Sequence, residues 1–290
     1  MQVIISPAKQ MRVERDAFAP RGIPPFPEET ARLIRELCRI ERTEGAEGLR
    51  ALWRVNDKLL AQNIELLNRF EVLRDERDLD DPALAALVSP AVFSYVGIQY
   101  RSLAPEVLDL DALDWLQGHL WIVSGLYGCA RPFDAVEPYR LEMGAKLATG
   151  GARDLYAFWG ERIAHKIEQA DDKGVRGPLG TGPHDAPASR AAAATTVVNL
   201  ASVEYAKAVL PHLGAETQVT TCIFGEEVRA GRPVQRATAS KIARGSMVRW
   251  MAERGCDDPR EIAAFDVGYR FAPELSETCG HATTLVFLRA

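Results

Sequence analysis

Polar side chains that could bind or transform a ligand are concentrated between Ser124 and Gly144, where the chain reads SGLYGCARPFDAVEPYRLEMG. Arg131 and Arg140 carry the planar fork that recognises phosphate or carboxylate groups. Glycines allow a backbone to approach a ligand closely, and prolines hold a loop in shape. The segment therefore predicts an anion-binding loop. Pairing of each arginine with Asp134 or Glu142 is an equally good interpretation.

A second concentration of charge lies between Glu226 and Arg254, where seven basic residues accompany three acidic ones. The whole chain, in contrast, has a formal net charge of −5. Lys241 and Arg244 are three residues apart and share one face of a predicted helix, and Gly245 beside them allows close approach. This stretch predicts a site for the phosphates of DNA or of a nucleotide. The alternative interpretation is a solvated helix face.

If the protein is an enzyme, the best general acid or base in the polar loop is Glu142, because a nearby arginine can tune its pKa. Tyr127 and Ser124 would assist it. Glu204 is a second carboxylate for the same role, although its position on the first turn of a helix also explains it structurally. The alternative is a protein that only binds its ligand, and the sequence leaves this choice open.

Several kinds of chemistry have no sequence support. The chain has no Walker loop, no GxGxxG after a strand and no GxSxG elbow. Its five histidines show no metal-ligand spacing, so neither a metal nor a cofactor is predicted. Five scattered cysteines predict reduced thiols in a cytoplasmic protein, and the absence of a long apolar run predicts no membrane span. The acidic net charge excludes a general nucleic-acid compactor but permits a local basic cleft.

Three short apolar runs must position these residues. Val3 to Ser6, Leu120 to Val123 and Thr196 to Val198 each predict a buried strand followed by polar residues. Ligands of α/β sheets bind beyond the carboxyl ends of strands, so the polar residues after the three strands should meet on one side. Lys9, Arg131 and Asn199 are therefore expected to lie near one another.

Helical spacing of apolar residues predicts several helices between these strands: from Glu28, at 56–70, at 108–118, at 153–170, at 202–210, at 240–253 and from Pro259. Residues 171–191 break the pattern with Gly, Pro, Asp and Ser, which predicts an exposed insertion. Strands and helices alternate irregularly. Residues 1–290 are therefore predicted to form a single mixed α/β domain with irregularly alternating strands and helices around a central sheet.

Five motifs in order resemble one known family: ISPAK at 5–9, the loop SGLYG…RPFDAVEPYRLEMG, LYAFWG at 155–160, NLAS-x-EY at 199–205 and K-x-ARG-x-M at 241–247. Together they are similar to the YaaA family of peroxide-stress proteins. The resemblance implies a cytosolic protein that protects against hydrogen peroxide through less free iron and less oxidative damage to DNA. It also implies DNA binding through a positively charged cleft with a helix-hairpin-helix-like element.

The resemblance and the strand ends together predict which residues form the cleft. The predicted set is Ser6, Lys9, Arg131, Tyr139, Arg140, Asn199, Ser202, Tyr205, Lys241, Arg244 and Gly245. Its partner would be DNA bound without sequence specificity, or a small anionic or nucleotide-like ligand. Backbone contacts to DNA do not require buried hydroxyl and amide groups at strand ends. An enzyme acting on a nucleobase, nucleoside or nucleotide in a closed polar pocket is therefore the alternative function.

Overall fold

The computed structural model describes residues 1–15, 18–172 and 195–290, with the backbone alone at 171–172. The strands of this part of the chain are β1 (Gln2–Ile5), β2 (Gln10–Met11), β3 (Ser89–Pro90), β4 (Tyr95–Val96), β5 (Leu120–Ser124), β6 (Gly128–Ala130), β7 (Ala135–Val136), β8 (Thr196–Leu200), β9 (Gln218–Gly225), β10 (Glu227–Arg229), β11 (Arg232–Val234), β12 (Tyr269–Phe271), β13 (Glu277–Cys279) and β14 (Ala282–Arg289).

The helices of the described residues surround these strands. They are α1 (Pro27–Trp53), α2 (Asp57–Asn68), α3 (Pro82–Ala85), α4 (Ala91–Ser94), α5 (Ile98–Leu103), α6 (Leu110–His119), α7 (Leu155–Trp159), α8 (Arg162–Glu168), α9 (Val203–Ala206) and α10 (Ala237–Arg254). Short 3-10 helices connect several of them, including Pro259–Ala264. Within the described residues, no helix combines the length and the apolar character needed to cross a bilayer.

The central sheet has the strand order β12-β14-β9-β8-β1-β5-β6, with β13 paired to β14. Its middle is parallel: β1 lies between β8 and β5, and Ile4 is paired with Asn199 on one side and Trp121 on the other. Strands covered on both faces carry continuous apolar runs, and all residues of β1 and β5 are buried. The single mixed α/β domain is confirmed, and β1, β5 and β8 end on the same side of the sheet.

Helix α10 holds α5 against the end of β1. Gly245 is buried in α10, and a Cβ atom there would lie 2.0 Å from the carbonyl oxygen of Gln99 in α5. Only glycine allows this approach of two backbones. The Gln99 side chain in turn donates a hydrogen bond of 2.9 Å to the carbonyl of Ser6. The packing of two helices therefore fixes the chain just beyond β1.

Three expectations about elements need correction or fall outside the structure. The helix expected at 153–170 is two helices, α7 and α8, because Gly160 between them adopts a φ of +50°. The helix expected from Pro259 is a 3-10 helix, although its predicted Asp258 cap is present. The insertion expected at 171–191 lies outside the described residues, apart from the backbone of its first two.

Candidate functional site

A cavity of about 890 Å³ opens beyond the ends of β1 and β8, and we call it the cleft. Its walls are the chain after β1 (residues 6–11), one face of α2 with Arg69, residues 96–99, residues 138–142, three residues around the start of α9, and two residues of α10. Five of its lining residues are basic and three are acidic: Lys9, Arg69, Arg140, Lys241, Arg244, Glu65, Glu142 and Glu204.

The fold brings most of the predicted residues together at this cavity. Those that line it are Ser6, Lys9, Tyr139, Arg140, Glu142, Ser202, Tyr205, Lys241 and Arg244. They come from four separate stretches of the chain, which the parallel arrangement of β1 and β8 and the packing of α10 place side by side. Five other predicted residues, Ser124, Tyr127, Arg131, Asn199 and Gly245, do not line the cleft.

Ser6 is held rigidly at the floor of the cleft. Its hydroxyl accepts a hydrogen bond of 2.8 Å from the backbone N–H of Ser202 and lies 3.2 Å from the Ser202 hydroxyl. Its carbonyl accepts bonds from the Gln99 side chain and from the Tyr100 hydroxyl at 2.9 and 3.0 Å. Ser6 therefore connects the ends of β1 and β8 with α5, and its hydroxyl is already engaged in the free protein.

Glu142 is enclosed by two cations. The Lys9 amine lies 2.8 Å from one carboxylate oxygen, and the Arg140 guanidinium donates to the other at 2.7 Å. Arg140 also donates to the backbone carbonyl of Lys9 at 3.0 Å, which closes the triangle. Both oxygens of Glu142 are thus occupied, so a ligand that uses this carboxylate must displace one of the cations.

Tyr139 places a hydroxyl in the cleft wall and is oriented from behind. Ser124, fully buried at the end of β5, lies 2.6 Å from the Tyr139 hydroxyl, and the Tyr95 hydroxyl lies 3.2 Å away on the other side. Burial raises the pKa of Tyr139 above its usual value, so this hydroxyl stays protonated at neutral pH and can donate a hydrogen bond. Ser124 therefore positions Tyr139 rather than contacting a ligand.

Arg244 is a half-buried cation with no anion beside it. No hydrogen bond or ion pair joins its side chain to another described residue, and its Nε atom is fully enclosed without an acceptor. Burial lowers the pKa of this guanidinium from its usual value. Lys241, one turn earlier on α10 and exposed, likewise has no ion pair with a described residue. These two residues are cations of the cleft that no described carboxylate neutralises.

The expectation that Arg131 lies in the cleft is wrong. After Ser124 the chain turns and β6 runs antiparallel to β5, so that Ala130 is paired with Ile122. This hairpin returns Arg131 to the opposite end of the sheet. There it donates to the carbonyls of Gly118 and Leu120 at 3.1 and 3.3 Å, and its guanidinium stacks 3.8 Å from the Trp121 ring centre.

Asn199 and Tyr127 also have structural roles outside the cleft. The Asn199 side chain accepts a bond from the backbone of Ala201 and donates to the Thr221 hydroxyl, so it shapes the turn after β8. The Tyr127 hydroxyl bonds to both backbone groups of Glu137 and lies away from the cavity. Gly245 does allow a close approach, but to the backbone of α5 instead of a ligand.

Two groups of residues in or beneath the cleft are not among those predicted from the sequence. Arg69 lines the cavity from the end of α2, and Tyr95 and Gln99 support its floor from a region with no predicted element. Arg69 lies in the last turn of the helix predicted at 56–70, which was an available signal. Nothing in the spacing of Tyr95 and Gln99 marks them, because their role depends on the tertiary packing of α5.

No three His, Cys, Asp or Glu side chains within the described part of the chain form a group that could hold a metal ion. The Cys129 thiol, which lies inside the central motif, is fully buried, and burial raises its pKa well above the usual value. A thiol in this state is a poor nucleophile. The polar groups of the cleft are therefore suited to hydrogen bonding and to anion binding.

Comparison with known proteins identifies the family. A family model described as peroxide stress protein YaaA matches residues 1–275. The chain belongs to this family. It is 37% identical to a UPF0246 protein of Desulfitobacterium hafniense over all of this chain and 98% of the relative. A UPF0246 protein of Limosilactobacillus fermentum is 38% identical, with 95% and 96% of the two chains covered. Another, of Lactiplantibacillus plantarum, is 36% identical over 92% and 91%.

Proposed function

We propose that this protein acts in the cytoplasm in resistance to hydrogen peroxide by binding the phosphates of DNA along the cleft, without sequence specificity. Neutralised phosphates release the cations condensed on DNA. Bound protein would thereby remove iron from the DNA surface, where iron converts peroxide into damaging radicals, and so limit iron-dependent damage. Membership of a peroxide stress family supports the physiological setting, and the cleft supports the DNA contact.

The observation that carries the DNA proposal is the pair Lys241 and Arg244. A cation withdrawn from water without a partner is costly, and Arg244 has no partner among the described residues. A phosphate oxygen would supply the missing acceptor, and the exposed Lys241 one turn away would contact a neighbouring phosphate. Arg69 faces the same cavity from α2 and adds a third positive charge.

Glu142 does not oppose this binding, because Lys9 and Arg140 surround it. The triangle of these three residues holds a carboxylate at the cleft wall without leaving an unpaired negative charge. The Ser202 hydroxyl, which lies 3.2 Å from the Ser6 hydroxyl, can donate a hydrogen bond to a phosphate or sugar oxygen. The cleft can therefore accept a polyanion even though the chain as a whole is acidic.

The salt dependence of DNA binding tests this proposal. For K241A/R244A we expect weaker binding of a duplex oligonucleotide, and a slope of log affinity against log salt that is smaller by up to about two units. The matched control is R249A/R254A, which removes two charges from the same helix outside the cleft and should change the slope little. An unchanged slope in K241A/R244A, or equal effects of both double variants, would show that DNA does not occupy the cleft.

A second candidate function is catalysis on a nucleobase, nucleoside or nucleotide, and the size of the cleft favours it. A cavity of about 890 Å³ lies within the range that encloses small molecules. Of the three residues predicted for catalysis, only Glu142 lines the cavity; Ser124 and Tyr127 lie behind its wall. Glu204 lines it too, and one of its oxygens accepts a bond from the backbone of Gly144. Glu142 is the residue to test first, because it is the carboxylate that contacts two cations of the cleft, Lys9 and Arg140.

The variant E142Q separates the two functions. If the cleft is catalytic, E142Q should abolish turnover of nucleosides or nucleoside monophosphates, followed by chromatography of the products, while ligand binding persists. If the cleft only binds DNA, E142Q should bind DNA as tightly as the unmodified protein or more tightly, because a negative charge is lost. Absence of turnover by the unmodified protein across such a panel would reject the catalytic alternative.

A further inference from the structure

A second positively charged surface lies outside the cleft. One of its walls is α1, and the other is formed by residues 149–153, by α7 and by the start of α8. The surface is a groove of about 810 Å³ that we call the arginine groove. Its charged lining residues are the six arginines Arg32, Arg35, Arg39, Arg42, Arg153 and Arg162 and the two glutamates Glu29 and Glu36. The groove therefore carries a larger excess of positive charge than the cleft, in a chain with a net charge of −5.

Four of the arginines form a stripe along α1. Arg32, Arg35, Arg39 and Arg42 are spaced by three or four residues, which places them on one face of the helix. Like charges at this spacing repel each other and destabilise a helix about as much as a favourable pair stabilises it. A solvated helix face has no need for such a stripe, so the repulsion points to a ligand that neutralises it.

Three of the six arginines are paired with carboxylates of described residues, Arg153 among them at 3.5 Å from Asp154, and the other three are not. Among the described residues, Arg32 and Arg35 make no hydrogen bond or ion pair, and Arg42 donates only to the carbonyl of Cys38 in its own helix. Arg39 is paired with Glu36 at 2.8 Å, and Arg162 lies 3.7 Å from Glu29. At least three exposed guanidinium groups of the stripe are therefore available to a ligand.

The wall opposite the stripe is a tight turn of exposed backbone. Thr149 and Ala152 exchange two backbone hydrogen bonds, and the two glycines between them have φ values of +57° and +82°. No atom of the described residues lies within 4 Å of the positions where Cβ atoms of Gly150 and Gly151 would be. The turn therefore leaves room for a bulky group to approach its backbone, opposite the arginines.

We propose that the arginine groove is a second nucleic-acid-binding surface, which holds the sugar-phosphate backbone of DNA. The basic residues of the groove are all arginine, whose fork matches two phosphate oxygens. From Arg32 to Arg42 the helix rises about 15 Å, which spans about four phosphates of one duplex strand along its axis. This proposal extends the proposed function, because it assigns DNA a second contact on the same protein.

The test uses the full chain and a labelled duplex oligonucleotide, with binding measured between low and moderate salt. The variant R32A/R35A/R42A should lower the affinity at low salt at least tenfold and reduce the salt slope by up to about 2.7 units. The matched control R74A/R229A/R270A removes the same charge from exposed positions outside both surfaces and should bind within about twofold of the unmodified protein. Equal loss in both triple variants would overturn the proposal, because net charge alone would then explain it.

The outcomes separate this proposal from the proposed function. If K241A/R244A weakens binding and R32A/R35A/R42A does not, the arginine groove is rejected and DNA binding by the cleft stands. The reverse result rejects the cleft and supports the groove. Failure of the unmodified protein to bind DNA rejects both.

Three further measurements separate specific binding at the groove from other causes of a lost affinity. The variant R32K/R35K/R42K keeps the charge, so it should retain the salt slope while losing affinity through the missing fork contacts. Preserved circular dichroism and thermal unfolding would show that any loss comes from binding. A polyglutamate of matched charge should compete weakly with DNA at the groove. Competition equal to that of unlabelled DNA would overturn the assignment to nucleic acid and assign the groove to an acidic protein segment.

Discussion

At the level of single residues, Arg131 and Arg244 show how similar side chains acquire different roles. Arg131 has its guanidinium occupied by two backbone carbonyls and the face of Trp121. Arg244 has an enclosed Nε atom with no acceptor. The first contributes to the stability of the sheet, and the second is available to a ligand.

The variant R131K tests this division of roles. Lysine keeps the charge but loses the planar stack and the Nη1 group that donates to both carbonyls, so we expect the free energy of unfolding to fall by about 1–2 kcal/mol. DNA affinity, measured where the variant is fully folded, should stay within about twofold of the unmodified protein. A loss of affinity comparable to that of K241A/R244A, without a loss of stability, would return Arg131 to the binding surface.

Most residues that line the cleft could be predicted from the sequence. Which residues line it and which only position a lining residue could not be predicted. Ser6, Lys9, Arg140 and Lys241 were predictable because polar residues directly after buried strands, or on a basic helix, are placed by local structure alone. The roles of Ser124 and Gln99 were not, because each acts through another residue in a different element. Such contacts depend on tertiary packing, which one sequence does not reveal.

At the level of elements, the packing of α10 on α5 controls the floor of the cleft. Gly245 lets the two backbones approach, and a Cβ there would lie only 2.0 Å from the Gln99 carbonyl oxygen. Any displacement of α5 would reach Ser6, whose carbonyl is held by Gln99 and Tyr100. The geometry of the cleft thus depends on a glycine that does not line it.

The variant G245A should therefore lower both stability and ligand binding. Overpacking of this kind costs about 1–3 kcal/mol in the free energy of unfolding, measured by chemical denaturation. DNA affinity should fall as well, because α5 must move away from the end of β1. The neighbouring change S246A on the same helix is the control and should alter neither strongly. Unchanged stability of G245A would mean that α5 and α10 are not packed as described.

Element boundaries were predictable where a local signal ended the element and not where the backbone changed direction. Asn56 caps α2 as expected, with its side chain accepting a bond from the backbone of Leu59. The break at Gly160 was missed because the apolar spacing continues through it. The hairpin from β5 to β6 was missed because the residues after Val123 were interpreted as a ligand-binding loop. The hairpin had the larger consequence, because it places Arg131 near the start of β5, at the end of the sheet opposite the cleft.

At the level of the whole molecule, two carboxylates are buried away from the cleft. Burial raises the pKa of Asp134 to about 7, although the neighbouring Arg131 opposes the shift, and burial likewise raises the pKa of Glu137 to about 7. In an unfolded chain both groups have a pKa near 4. The folded state therefore binds more protons than the unfolded state between about pH 4 and pH 7.

This difference predicts that the contribution of these two groups to stability falls as the pH rises through that window and changes little above it. Each group contributes a decrease of about 1.4 kcal/mol in the free energy of unfolding per pH unit. The variant D134N keeps an acceptor for the backbone N–H of Arg131 but cannot ionise. Its free energy of unfolding should therefore fall less with pH than that of the unmodified protein, by the contribution of one group. Chemical denaturation between pH 4.5 and 8 measures this. Parallel curves for D134N and the unmodified protein would show that Asp134 does not titrate in the window.

Photocrosslinking tests whether DNA binds in the cleft, as we propose. A duplex that carries photoreactive thymidine analogues is bound at low salt, irradiated and digested with protease, and the attached peptides are identified by mass spectrometry. We predict crosslinks to peptides that contain residues 138–142 and 241–244, and their loss when unlabelled DNA competes. If the crosslinks that unlabelled DNA removes lie in neither of these two segments, DNA does not bind in the cleft.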